Sequence, residues 1–123
     1  MELPFLNESQ LQQLLDLDDG KTDLLREMAT LFKAETPRRL AAIQEGLDAS
    51  DAAAVGEAAH ALKGASGLMG AQTVFDLARD LELKAKTGTL PSRAERMELL
   101  SGLGDAVSHA QAGIDNFLSK VRS

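Results

Sequence analysis

Residues 59–71 read AHALKGASGLMGA, which places His60 three residues before Lys63 among Gly64, Gly67 and Gly70. An imidazole in water is largely neutral and nucleophilic near neutral pH, and histidine can carry a covalent intermediate. An ammonium one helical turn away is a point charge suited to a phosphoryl oxygen. Glycine lowers the stability of a helix interior by about 1 kcal/mol relative to alanine, so three glycines beside a histidine ask for a reason. Nucleophile, cation and cleared backbone together suit taking up and passing on a phosphoryl group. In such transfers the protein contributes mostly positioning and electrostatics.

The direction in which His60 points follows from helix geometry. A helix turns about 100° per residue, so Leu62, Val55 and Met69 fall about 180–220° from His60. They form an apolar face together with Ala58, Ala59, Ala65 and Ser66. The histidine points away from that face. Gly64 and Gly56 lie about 40° to either side of it, Gly67 about 20° off, and Lys63 and Glu57 about 60° off on opposite sides. Ala53 and Ala71 continue the stripe. The expectation is a solvent-facing imidazole above a strip of nearly bare backbone, which lets another surface come close.

The elements that must position this segment are helices. The chain has 123 residues, 44% hydrophobic but only 3% aromatic, with no Trp and no Tyr. A core of Leu, Ala, Val, Ile, Met and four Phe favours helix over sheet. The first helix starts at Asn7, with Gln10 in capping-box position, carries Leu11, Leu14 and Leu15, and stops near DLDDGK. The second is predicted from about Thr22 to Ala49 with Leu25, Met28, Phe32, Leu40, Ile43 and Leu47 inward. Pro37 lies in its middle, and the apolar stripe continuing past it favours one kinked helix over two. The third starts at Ser50 or Asp51 and runs to about Met69, with Gly70 as its stop. The fourth spans about Ala71 to Thr87, with Val74, Leu77, Ala78, Leu81 and Ala85 inward and Gly88 after it. The fifth runs from Pro91 or Ser92 to about Val121 with Leu99, Leu103, Val107, Ile114, Phe117 and Leu118 inward, loosened by Gly102, Gly104 and Gly113. Short connections make sequential helices antiparallel. The expected fold is all-α, an up-down-up-down four-helix bundle with a short extra N-terminal helix, as a single domain over residues 1–123.

Charge and composition exclude other classes. Thirteen Lys and Arg against nineteen Asp and Glu give a net charge of −6. That balance disfavours nucleic acid and anionic membrane as partners. The absence of cysteine rules out disulfides, thiol catalysis and Cys-ligated zinc. No apolar run approaches a membrane span, and MELPFLNESQ carries no secretion-signal pattern, so a cytoplasmic location is expected. His109, in AVSHAQAG, reads as an ordinary surface residue. Neither histidine has metal-ligand spacing, DLDDG lacks the later ligands of a calcium loop and reads as a turn, and no ATP-binding pattern occurs. The run ARDLELKAK reads as a solvated helix face with i,i+4 ion pairs.

His60, Leu62, Lys63, Gly64, Ala65, Ser66, Met69 and Gly70 resemble the motif of histidine-containing phosphotransfer (HPt) domains, roughly His-x-Leu-Lys-Gly-(Ser/Ala)-(Ser/Ala)-x-x-(apolar)-Gly. The likeness extends to the helix order, including a proline inside the long second helix. It implies that His60 is the phosphoacceptor through Nε2, that Lys63 stabilises the phosphoryl group, and that Gly64 gives the partner access. Some relatives hold the other imidazole nitrogen with a glutamine on the next helix. Glu82 stands at the matching position here, either as a ring orienter or as a boundary residue of the fourth helix. The resemblance further implies a carrier between receiver-domain aspartates, and with no exposed apolar stripe identified a monomer is expected. Such a carrier has no cofactor, with magnesium supplied by the receiver, and no ATP-dependent kinase activity. Alternatives are the phosphoacceptor module of a chemotaxis-type kinase, and a helical adaptor or inhibitor that docks on receiver or kinase domains without taking phosphate.

Overall fold

The computed structural model of the chain describes residues 6–121. The first residues of MELPFLNESQ, where no secretion signal was read, lie outside them. Five helices follow in order: α1 (Glu8–Leu17), α2 (Asp23–Asp48), α3 (Ala52–Leu68), α4 (Gln72–Lys86) and α5 (Arg93–Lys120). The four long ones form the up-down-up-down bundle. α3 packs most extensively on α4 and then on α2, and α5 closes the bundle against both α2 and α4. The core is aliphatic: Leu25, Ile43, Leu47, Val55, Leu62, Val74, Leu81, Leu103 and Ile114 are fully buried, and Phe32 and Phe117 are buried beside them. Met28, Leu40, Ala65, Leu77 and Leu99, expected inward, pack on its margin and are partly buried.

Local chemistry explains where the helices start. Asp51 caps α3 by accepting from Ala54 N at 3.1 Å, while Ser50, with φ at 54°, belongs to the turn before it. Ser92 caps α5 in a reciprocal capping box with Glu95. Of DLDDG, expected to be a turn, Asp16 and Leu17 still belong to α1 and residues 18–20 form the turn, with Asp19 and Gly20 both at positive φ. Its Asp18 also accepts from Leu24 N and so holds the start of α2. α2 runs through Pro37 as one helix.

The capping box expected of Gln10 does not form. Asn7 does cap α1, accepting from Ser9 N. Its own N–H, however, donates to the Gly70 carbonyl at 2.6 Å, and the Gln10 amide donates to the Leu68 carbonyl at 3.1 Å. Both groups are spent on tying α1 to the end of α3. Gly70 suits that contact twice over. Its φ is +70°, and a Cβ there would lie 2.5 Å from the Asn7 carbonyl oxygen. Only glycine tolerates both the left-handed backbone and the close approach. The turn that ends α3, and with it the height of α4 beside His60, is thereby fixed.

Candidate functional site

His60 lies on the middle of α3 with its side chain 69% exposed. Gly64, one turn on, is open: a Cβ added there meets nothing within 4 Å. Of the rest of the expected bare strip, Ala53 is exposed, Gly56 and Gly67 are partly covered and Ala71 is buried. A Cβ on Gly67 would meet the Phe75 ring at 3.2 Å, and one on Gly56 would touch the Ala85 Cβ at 3.4 Å. Phe75 and Ala85, which make the two covering contacts, both belong to α4. The strip is therefore half open surface and half the seam between α3 and α4.

That seam brings Glu82 to the histidine. Glu82 stands four residues after Ala78 and three before Ala85, inside the buried stripe of α4, so its side chain is only 8% exposed. Its Oε2 lies 2.8 Å from His60 Nδ1, and its Oε1 lies 2.7 Å from Lys63 Nζ. Lys86, one turn further along α4, stands 3.7 Å from the same Oε2. The charge run read as a solvated helix face is therefore wrong for Glu82, which is buried and is the centre of the cluster. Its position in the apolar stripe was the available signal. His109 is exposed on α5.

The electrostatics follow from this wiring. The Lys63 hydrogen bond is the main reason the Glu82 carboxyl drops from 4.5 to about 2; burial opposes the shift and the His60 bond adds to it. A carboxylate has no proton to give, so the shared hydrogen sits on Nδ1 and the lone pair is left on Nε2. One oxygen of Glu82 thus sets the tautomer of an exposed imidazole, and the other neutralises the lysine beside it. Among the described residues, no group of three or more His, Asp or Glu side chains is placed to hold a metal ion. No helix among them is long and apolar enough to cross a membrane.

The depressed carboxyl makes stability depend on acid. Glu82 binds its proton more weakly folded than unfolded, so the pairing contributes fully above pH 4.5 and is lost as the pH falls towards about 2. Unfolding midpoints measured across that interval are expected to fall with pH, and Glu82→Gln is expected to flatten the slope. An unchanged slope in that variant would place the acid sensitivity elsewhere.

A four-helix bundle presenting one tautomer-fixed histidine to solvent, with cations around its supporting carboxylate, defines a phosphotransfer module. Residues 27–119 match the Hpt domain family model, and the chain belongs to that family. It is a histidine phosphotransfer carrier of a phosphorelay. The structure superposes on the crystal structure of histidine-containing phosphotransfer protein B (HptB) from Pseudomonas aeruginosa PAO1 with a TM-score of 0.83 and 25% sequence identity, over 98% of this chain and 100% of that one. No curated protein gives a significant sequence match.

Proposed function

We propose that His60 is the phosphoacceptor, taking a phosphoryl group from a receiver-domain aspartate and giving it to a second receiver. The observation that carries this reading is the His60–Glu82 contact of 2.8 Å at Nδ1, on an otherwise exposed ring. In the forward step the Nε2 lone pair forms an N–P bond as the acyl-phosphate P–O bond breaks and its electrons go to the aspartate oxygen. Nδ1 keeps its proton, and Glu82 offsets the positive charge that grows on the ring. A preorganised acceptor aimed at developing charge is an effective form of transition-state stabilisation. The reverse step uses the same groups. Lys63 keeps the buried carboxylate ionised, and its charge also favours the incoming anion.

The receiver is read as supplying the magnesium and the remaining catalytic groups. This chain is read as a monomeric cytoplasmic carrier, one domain over its 123 residues, without ATP-dependent kinase activity of its own. Its acidic balance supports a protein partner over nucleic acid or an anionic membrane. The test is transfer from receiver domains of the same cell, each loaded with labelled phosphate. Acid-labile, base-stable label on this chain is the expected result. No label from receivers confirmed to be loaded would leave a docking adaptor as the better reading.

Gly64 is the access point in this reading. Gly64→Leu puts a bulky side chain into open space, so the helix gains up to about 1 kcal/mol from lost glycine. Transfer from a loaded receiver is expected to fall about tenfold or more, because overpacking a close-fitting contact costs about 1–3 kcal/mol. Normal transfer in this variant would remove Gly64 from the contact surface.

A further inference from the structure

We infer that Arg79 and Leu83 of α4 form a rim that binds the receiver's own surface and takes no part in the phosphoryl chemistry; this rests on His60 being the phosphoacceptor. Both residues lie in the run read as a solvated face and outside the histidine motif. Their placement argues for more than solvation. Leu83 directly follows Glu82, whose carboxylate touches the His60 ring. Counted from Glu82, Arg79 leaves α4 about 60° and Leu83 about 100° round the axis, both to the same side. The buried Ala78, Leu81 and Ala85 leave to the other. The two rim side chains face solvent, Arg79 54% exposed and Leu83 62% exposed.

For Nε2 to bond the phosphorus, the receiver has to sit directly on His60. Protein contacts cover about 600–800 Å² of each partner, a patch about 14–16 Å in radius around the reacting atom. Neighbouring Cα atoms are about 3.8 Å apart and a helical turn rises about 5.4 Å, so Leu83 and Arg79 fall inside that patch. A leucine exposed singly is ordinary on a protein surface. One that a partner has to cover leaves water on docking, and the apolar area removed favours the complex. Arg79 is held ready for the same event. Its guanidinium lies 5.9 Å from the centroid of the Phe75 ring, and that ring rests against Gly67, where an added Cβ would approach it to 3.2 Å. A side chain stacked in this way loses little further freedom on docking. Its acidic neighbours do not saturate it: Asp76 at 3.6 Å and Asp80 at 3.7 Å are beyond hydrogen-bond distance, and Asp76 already accepts from Gln72. The receiver offers a better match. Magnesium is held by carboxylates, so the partner's surface beside its reacting aspartate is acidic. Opposite charges across an interface speed encounter and reject wrong partners.

The test compares two phosphoryl donors, a loaded receiver that transfers to wild type and phosphoramidate, with which docking plays no part. The P–N bond of phosphoramidate breaks as Nε2 forms the new N–P bond, and the nitrogen leaves with the electron pair as ammonia. With the receiver, Leu83→Ser and Arg79→Glu are each expected to raise KM about tenfold and leave kcat unchanged, the pattern of a lost binding contact. Arg79→Lys is expected to recover part of the loss, because it keeps the charge and gives up the stacking. Added salt is expected to shrink the Arg79→Glu loss and to leave the Leu83→Ser loss in place. With phosphoramidate, all three variants are expected to form phosphohistidine as wild type does, followed by phosphorus NMR. Wild-type KM in Leu83→Ser or in Arg79→Glu overturns the inference. An equal loss with phosphoramidate overturns it too, since the residue would then act in the phosphoryl chemistry. Phosphohistidine forming in His60→Gln would overturn instead the assignment of the acceptor.

Discussion

His60→Gln is expected to lose phosphoryl acceptance completely while keeping its fold. Glutamine has no nucleophilic nitrogen, because its amide lone pair is delocalised into the carbonyl, so no N–P bond can form. The fold has little reason to respond. The side chain is 69% exposed, and substitutions at exposed positions usually change stability by less than about 0.5 kcal/mol. Glu82 is not stranded either, since Lys63 remains at 2.7 Å and Lys86 at 3.7 Å. Label transfer and urea unfolding on the same preparation check both halves. An unfolded variant would mean that the imidazole supports the core. Residual label would place the acceptor elsewhere, with His109 as the next residue to change.

Glu82→Ala is expected to have the second largest effect, slowing transfer about 10²-fold, the lower end of what a positioned proton-holding partner contributes. Two losses combine. Nothing then keeps the proton on Nδ1, so part of the population carries it on Nε2 and has no lone pair to attack with. The positive charge that develops on the ring also loses its counter-charge. Glu82→Gln should fall between wild type and Ala, because an amide oxygen still accepts from Nδ1–H but brings no charge. Nitrogen NMR of His60 distinguishes these causes from a structural one: mixed tautomers are expected in Ala and a mainly Nδ1–H ring in Gln. A wild-type rate in Glu82→Ala would make the 2.8 Å contact incidental to transfer.

Most of the scaffold was legible before any coordinates. Apolar spacing placed all five helices to within a few residues, because each buries one stripe and three of them stop at a recognisable glycine, Gly20, Gly70 and Gly88, all at positive φ. Pro37 did not divide α2, consistent with the stripe running past it. The reading failed where a residue had two possible partners. Gln10 was expected to turn back onto Asn7 and reaches Leu68 instead, since Asn7 N–H had already gone to Gly70. A local motif describes only the bonds within it, and a tertiary acceptor can win.

The sequence by itself determined that a histidine would stand on the solvent side of a helical bundle, with a lysine one turn along and an open glycine beside it. Angle about the helix axis depends only on residue number, so Leu62 and Val55 inward put His60 outward. What it left undecided is what stands beside α3. Only the packing of α4 partly covered Gly56 and Gly67, turned Glu82 to the ring and brought its other oxygen to Lys63; the Lys86 pair is the i,i+4 spacing within α4 itself. A helical wheel gives the direction in which a side chain leaves its own helix. It carries no information on the height or rotation of the neighbouring helix, and here those are set by the Gly70 turn and the α1 tether. The nucleophile was therefore readable from one helix, and the charges that govern it were fixed by two helices meeting.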